Sequence, residues 1–105
     1  MEITVLFTDA AIEHLKSVFN YYSFYAGIKS AKQITKQIVD KTLLLEKHPR
    51  IGTTESLLKN KEYEIRFLVE GNYKILYWIE EPIVYIAAVF DCRQNPEKIK
   101  TTKIG

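Results

Sequence analysis

Apolar and polar positions follow two rhythms along this chain. In the first half, apolar positions recur at helical spacing: Ile12, Leu15, Phe19, Tyr22 and Ala26, then Ala31, Ile34, Ile38, Thr42 and Leu45. That spacing lets a helix bury one stripe and wet the other. In the second half, residues 62–69, 73–79 and 83–90 are runs of aromatic and β-branched residues, which predict strands. Residues 83–90 are apolar at nearly every position, the mark of a strand covered on both faces, so this run is expected at the sheet centre. Residues 2–7 alternate, with Ile3, Val5 and Phe7 against Thr4 and Leu6, and predict a half-buried edge strand.

The punctuation fits these elements. Thr8 or Asp9 can cap the first helix by accepting from an orphan N–H, and Gly27 can end it. A second helix is expected over residues 30–46 and stops at His48-Pro49, because proline disfavours helical geometry in the residue before it. Residues 53–61 read as a polar loop, Gly71-Asn72 as a hairpin turn and Glu81-Pro82 as a second reversal. The predicted order is βααβββ in one domain, residues 1–105. This is an α+β fold, with a helical hairpin packed on one face of a small, largely antiparallel four-stranded sheet.

Composition narrows the function classes. At 47% hydrophobic and 27% charged residues the chain is an ordinary globular sequence. The N-terminal apolar residues are interrupted by Thr8, Asp9, Glu13 and His14, which argues against a signal peptide. No apolar run approaches the roughly 20 residues that span a bilayer, so no membrane partner is expected. One cysteine, Cys92, excludes an internal disulfide and a multi-cysteine metal site, and suits a cytoplasmic setting. The net charge of +2 permits nucleic-acid contact without arguing for it, although residues 28–52 hold Lys29, Lys32, Lys36, Lys41, Lys47 and Arg50.

Candidate chemistry is sparse. There is no glycine-rich phosphate loop, nucleophile elbow, His-x-x-x-His or Cys-x-x-Cys, so neither a metal nor a cofactor is expected. His14 and His48 read as boundary histidines. In the run 62–69, alternation puts Tyr63, Ile65, Phe67 and Val69 under the helices, and Glu62, Glu64, Arg66 and Leu68 on the opposite face. Lys74 and Trp78 have the same polar parity. Arg66, Lys74 and Trp78 would together suit phosphate binding and base stacking, or Glu64 and Lys74 would pair across strands with Trp78 as a packer. Arg93 directly follows the last strand, where it is placed either for a ligand or to pair with Asp91. Cys92 reads as a buried, inert thiol. Tyr21, Tyr22, Phe24 and Tyr25 crowd the end of the first helix; one stripe cannot bury all four.

Several of these features occur together in one family. The βααβββ order, Leu45-x-x-x-Pro49-x-x-Gly52, Tyr63-x-x-Arg66, residues 71–77 and the closing Val89-Phe90-Asp91-x-Arg93-Gln94-Asn95-Pro96 resemble the RelE/ParE toxin superfamily. The resemblance implies the toxin half of a bacterial type II toxin–antitoxin pair, also known as a plasmid stabilisation system. An antitoxin would neutralise it by covering the helical hairpin and an exposed sheet edge. ParE-like members bind DNA gyrase and carry out no chemistry. RelE-like members cut mRNA on the ribosome, and in that case Lys59, Lys61, Arg66 and Arg93 would supply charge, with Glu64 as base. No Tyr follows Tyr85, so the tyrosine that RelE-like enzymes place after the last strand is absent. The ParE-like branch is therefore favoured, with Arg66, Lys74, Trp78 and Arg93 as target-binding residues; a relative without toxicity is the third alternative.

Overall fold

The computed structural model of the chain describes residues 2–56 and 62–93. The elements are β1 (Thr4–Phe7), α1 (Asp9–Ala26), α2 (Ile28–Thr42), a single 3₁₀ segment (Leu43–Glu46), β2 (Thr53–Thr54), β3 (Arg66–Glu70), β4 (Tyr73–Glu80) and β5 (Ile83–Asp91). Their order in the sheet is β1-β5-β4-β3-β2. β1 runs parallel to β5, and the other neighbours are antiparallel. The expected α+β architecture holds, with two corrections. The sheet has five strands, because Thr53 and Thr54 pair with Phe67 and Arg66 at one edge. The middle position belongs to β4, and β5 is interior beside it.

Thr8 joins helix, edge strand and sheet. Its hydroxyl caps α1 by accepting from the Ala11 N–H at 3.2 Å and donates to the carbonyls of Ile86 (3.0 Å) and Ala87 (3.2 Å). At that point β5 bulges: Tyr77 faces Ile86 and Leu76 faces Ala88, leaving Ala87 as the extra residue. The bulge resets the alternation, so that Val84, Ile86 and Val89 all reach the helix-side core. Beyond β1 the exposed edge of β5 needs another partner, and His14 on α1 accepts the Val89 N–H through Nδ1 at 3.1 Å. Partial burial lowers the His14 pKa from its usual 6.5.

Gly27 alone joins the two helices. Its φ of 93° is costly for a residue with a Cβ, and this lets α2 begin immediately after α1 ends. α2 buries Ala31, Ile38 and Thr42, followed by Leu45, as the spacing predicted. On α1 the buried stripe is rotated: Ala11 and Val18 are buried, with Leu15 and Tyr22 against them, while Ile12 faces solvent.

Both faces of the sheet are apolar. Under the helices lie Leu68, Tyr73, Ile75, Tyr77, Val84, Ile86 and Val89. The opposite face carries Ile65, Leu76, Trp78, Ala87 and Ala88, with Tyr63, Phe67, Tyr85 and Phe90 packed on them. The predicted parity of β3 is thereby reversed: Leu68 points to the helices, and Tyr63, Ile65 and Phe67 point away.

Candidate functional site

Among the described residues, Arg66, Lys74 and Arg93 are each tied down by a different local structure. Arg66 pairs with Tyr77 in the register and stands on the helix-side face of β3, the second strand from the β2 edge. Its guanidinium donates to the carbonyls of Gly52 (2.8 Å) and Arg50 (3.2 Å) and pairs with Glu64 at 2.6 Å. Beside it, the Tyr77 hydroxyl accepts the Gly52 N–H at 2.9 Å. Together Arg66 and Tyr77 fix the loop that follows Pro49 to the sheet. A Cβ on Gly52 would lie 2.5 Å from the Tyr77 oxygen and 2.7 Å from the Phe67 carbonyl, so only glycine fits this approach. Glu64 is engaged twice, with Arg66 and with the Thr54 hydroxyl at 3.1 Å.

Lys74 lies on the opposite face. Its ammonium sits 4.3 Å from the centre of the Phe67 ring and 2.9 Å from a carboxylate oxygen of the buried Glu55. A buried carboxylate needs such a partner, and a lysine stem over an aromatic ring supplies it with little exposure. The expected cross-strand partner, Glu64, is replaced by Glu55 because Glu64 follows Arg66 to the other side.

Trp78 is buried between two rings, with Tyr63 at 5.2 Å and Tyr85 at 5.0 Å, both stacked. Its indole N–H donates to Glu80 at 2.8 Å. The same carboxylate accepts from the Tyr63 hydroxyl, which pushes that phenol up to about 12. Both indole faces are occupied, so Trp78 packs the sheet. The expected shared face of Arg66, Lys74 and Trp78 does not form: Arg66 belongs to one side of the sheet and the other two to the opposite side.

Arg93 stands at the end of β5. Asp91 accepts from its backbone N–H (2.9 Å), from Nε (3.0 Å) and from Nη2 (2.8 Å). This two-pronged pair aims a half-exposed guanidinium outward and holds the Asp91 carboxyl below its usual range. Asp91 faces Tyr73 across the β4–β5 ladder, and burial, first, and the neighbouring Tyr22 hydroxyl of α1 raise the Tyr73 pKa. Tyr22, Tyr73, Asp91 and Arg93 thus form one connected set at the joint of helix and sheet. Sequence spacing signals only the Asp91–Arg93 pair, since Tyr22 and Tyr73 lie in separate elements.

Cys92 is exposed, contrary to the buried thiol expected, and desolvation raises its pKa rather than activating it. Lys59, Lys61 and Gln94-Asn95-Pro96 lie outside the described residues. Among the described residues no group of three or more His, Cys, Asp or Glu is placed to hold a metal ion, and no helix is long and apolar enough to cross a membrane.

Comparison with known proteins adds a family. Residues 5–96 match the family described as the ParE toxin of type II toxin-antitoxin system, parDE. Among solved structures, a chain of a chromosomal ParDE TA system from P. aeruginosa superposes with a TM-score of 0.70 at 13% identity, over 85% of this chain and 95% of that one. No curated protein matches. At that identity the superposition establishes the fold, and the family match spans β1 to the segment after β5.

Proposed function

This chain belongs to the ParE toxin family of type II toxin–antitoxin systems, and we propose that it arrests growth in the cytoplasm by binding DNA gyrase until an antitoxin removes it. The observation that carries the proposal is the ParE match over residues 5–96, which includes the Asp91–Arg93 pair. Arg93 is the target contact in this account. Its side chain is 49% exposed and anchored on a strand end, whereas the side chains of Arg66 and Lys74 are 23% and 25% exposed and engaged in holding loops. An Arg fixed in one orientation loses little freedom on binding and suits a carboxylate on a protein target.

The site is one for binding rather than bond-making. Cleavage of RNA needs a base free to take a proton from a 2′-hydroxyl. Glu64, the candidate for that role, is ion-paired to Arg66 and hydrogen-bonded to Thr54. The test is brief induction of this chain alone in a bacterial host, followed by primer extension on cellular messages. Growth arrest with intact messages is expected. Codon-registered cuts confined to translated messages would assign it instead to ribosome-dependent mRNA cleavage, and growth without arrest would make it a non-toxic relative.

A further inference from the structure

The two edges of the sheet are finished differently. On one side the sheet ends in β2, only Thr53 and Thr54. The other side ends in the longer β1, which has none of the devices that blunt an edge: residues 3–8 hold no charge and no proline, and the β1–β5 register has no bulge. Its even positions bond inward, the Thr4 N–H to the Pro82 carbonyl at 2.9 Å and the Thr8 N–H to the Ile86 carbonyl at 3.0 Å. Ile3, Val5 and Phe7 alternate with these. Their N–H and C=O groups therefore point away from β5, and they have no partner among the described residues. Such a row is a template for another strand. Leu6 adds an exposed apolar side chain on the face away from the helices, and the 3₁₀ segment lying against β1 exposes Leu43 and Leu44.

The sequence of β1 fits a second copy of itself. Antiparallel pairing centred on Val5 sets Val5 against the second copy's Val5, Ile3 against Phe7, Thr4 against Leu6 and Glu2 against Thr8. Apolar side chains meet apolar ones on the helix side, and no like charges face each other. The outward positions are the ones that exchange bonds in this register, giving roughly six backbone hydrogen bonds. The two-fold axis stands normal to the sheet, so both helix layers lie on one face and the 3₁₀ segments bring their leucines to the joint. A lone extended peptide would leave those leucines in water. An acidic one would also meet Glu2 and Asp9 at the ends of the strand.

We propose that the chain on its own is a two-fold dimer, joined by pairing of β1 with β1 of a second copy into one continuous sheet. Arg93 follows the far end of β5, whereas β1 pairs with its first residues, Ile83 to Ile86, so the dimer leaves Arg93 uncovered in both copies. The proposal goes beyond the toxin reading and does not depend on it.

Sedimentation equilibrium of the full chain, purified without a partner, measures the dimer dissociation constant, and hydrogen exchange read by NMR follows single amides. Wild type is expected to reach twice the mass of the chain in the micromolar range, with exchange at Val5 and Phe7 slowing as concentration rises. Thr4→Lys with Leu6→Lys sets like charges opposite each other across the joint and should raise the dissociation constant at least roughly tenfold. Thr4→Lys with Leu6→Glu sets opposite charges there and should return it to within about 3-fold of wild type. Both positions are exposed, so the circular dichroism of either variant should match wild type. Should a variant unfold, the Val5 and Phe7 amides of wild type decide alone. A wild-type chain that stays monomeric, a dimer whose Val5 and Phe7 amides do not slow, or one equally strong in both variants overturns the proposal. Protection of these amides only after the antitoxin encoded beside the chain is added would give the edge to the antitoxin, and overturns it as well.

Discussion

The guanidinium of Arg93 is held by the carboxylate of Asp91 through two parallel bonds, at 3.0 and 2.8 Å, and a third bond from the backbone N–H closes the loop at 2.9 Å. Asp91 ends β5, so the orientation of Arg93 is inherited from the sheet. Asp91→Asn should therefore reduce toxicity nearly as much as Arg93→Ala. The pair is partly exposed, so neither change should lower stability by more than about 1 kcal/mol. Growth arrest and thermal melts of both variants check this. Full toxicity of Arg93→Ala, or a melt that collapses, would contradict it.

Gly52 and Tyr77 make the second set of testable contacts. Gly52→Ala forces a methyl group against the Tyr77 hydroxyl and the Phe67 carbonyl, and overpacking of this kind costs about 1–3 kcal/mol. Tyr77→Phe leaves the buried Gly52 N–H without its acceptor, a loss of about 1–3 kcal/mol. Denaturant melts measure both, and the double variant should cost less than the sum because the phenylalanine removes the atom the new methyl meets.

His14 makes stability depend on pH. Its neutral ring accepts the Val89 N–H, and its pKa is lowered from 6.5 in the folded chain. Below pH 6.5 the unfolded chain therefore binds more protons than the folded one. The contribution is complete above pH 6.5 and is lost as the pH falls through the lowered folded value. Melting temperatures between pH 7.5 and 5 should fall for wild type and stay flatter for His14→Gln, which keeps an acceptor that does not titrate. Equal slopes would show that His14 is not the source.

Trp78 is the only tryptophan, so its fluorescence reports one site. Buried between Tyr63 and Tyr85, it should emit at short wavelength and resist quenching by iodide. Trp78→Ala should cost about 3–5 kcal/mol. Ready quenching with little stability loss would return Trp78 to the role of an exposed stacking residue.

The element order was legible because helix and strand periods differ and the turn residues mark their borders. Which face of β3 meets the helices was not. Alternation separates Tyr63, Ile65 and Phe67 from Arg66 and Leu68, but both faces of this sheet are apolar, so alternation does not say which face lies under α1 and α2. Arg66 takes the helix side because the carbonyls of Arg50 and Gly52 await it there. The bulge at Ala87 was hidden in a run with no polar residue to mark it, and β2 in two threonines that look like loop. Of the candidate site, the Asp91–Arg93 pair was readable from adjacency; its link through Tyr73 to Tyr22 needed the fold.

The most direct measurement adds the purified chain to DNA gyrase, relaxed plasmid and ATP, and follows supercoiling and gyrase-linked DNA breaks. Wild type is expected to inhibit supercoiling and accumulate cleaved DNA, with Arg93→Ala inhibiting at least roughly tenfold less at equal concentration. Full supercoiling at a molar excess of folded wild-type chain would contradict the account.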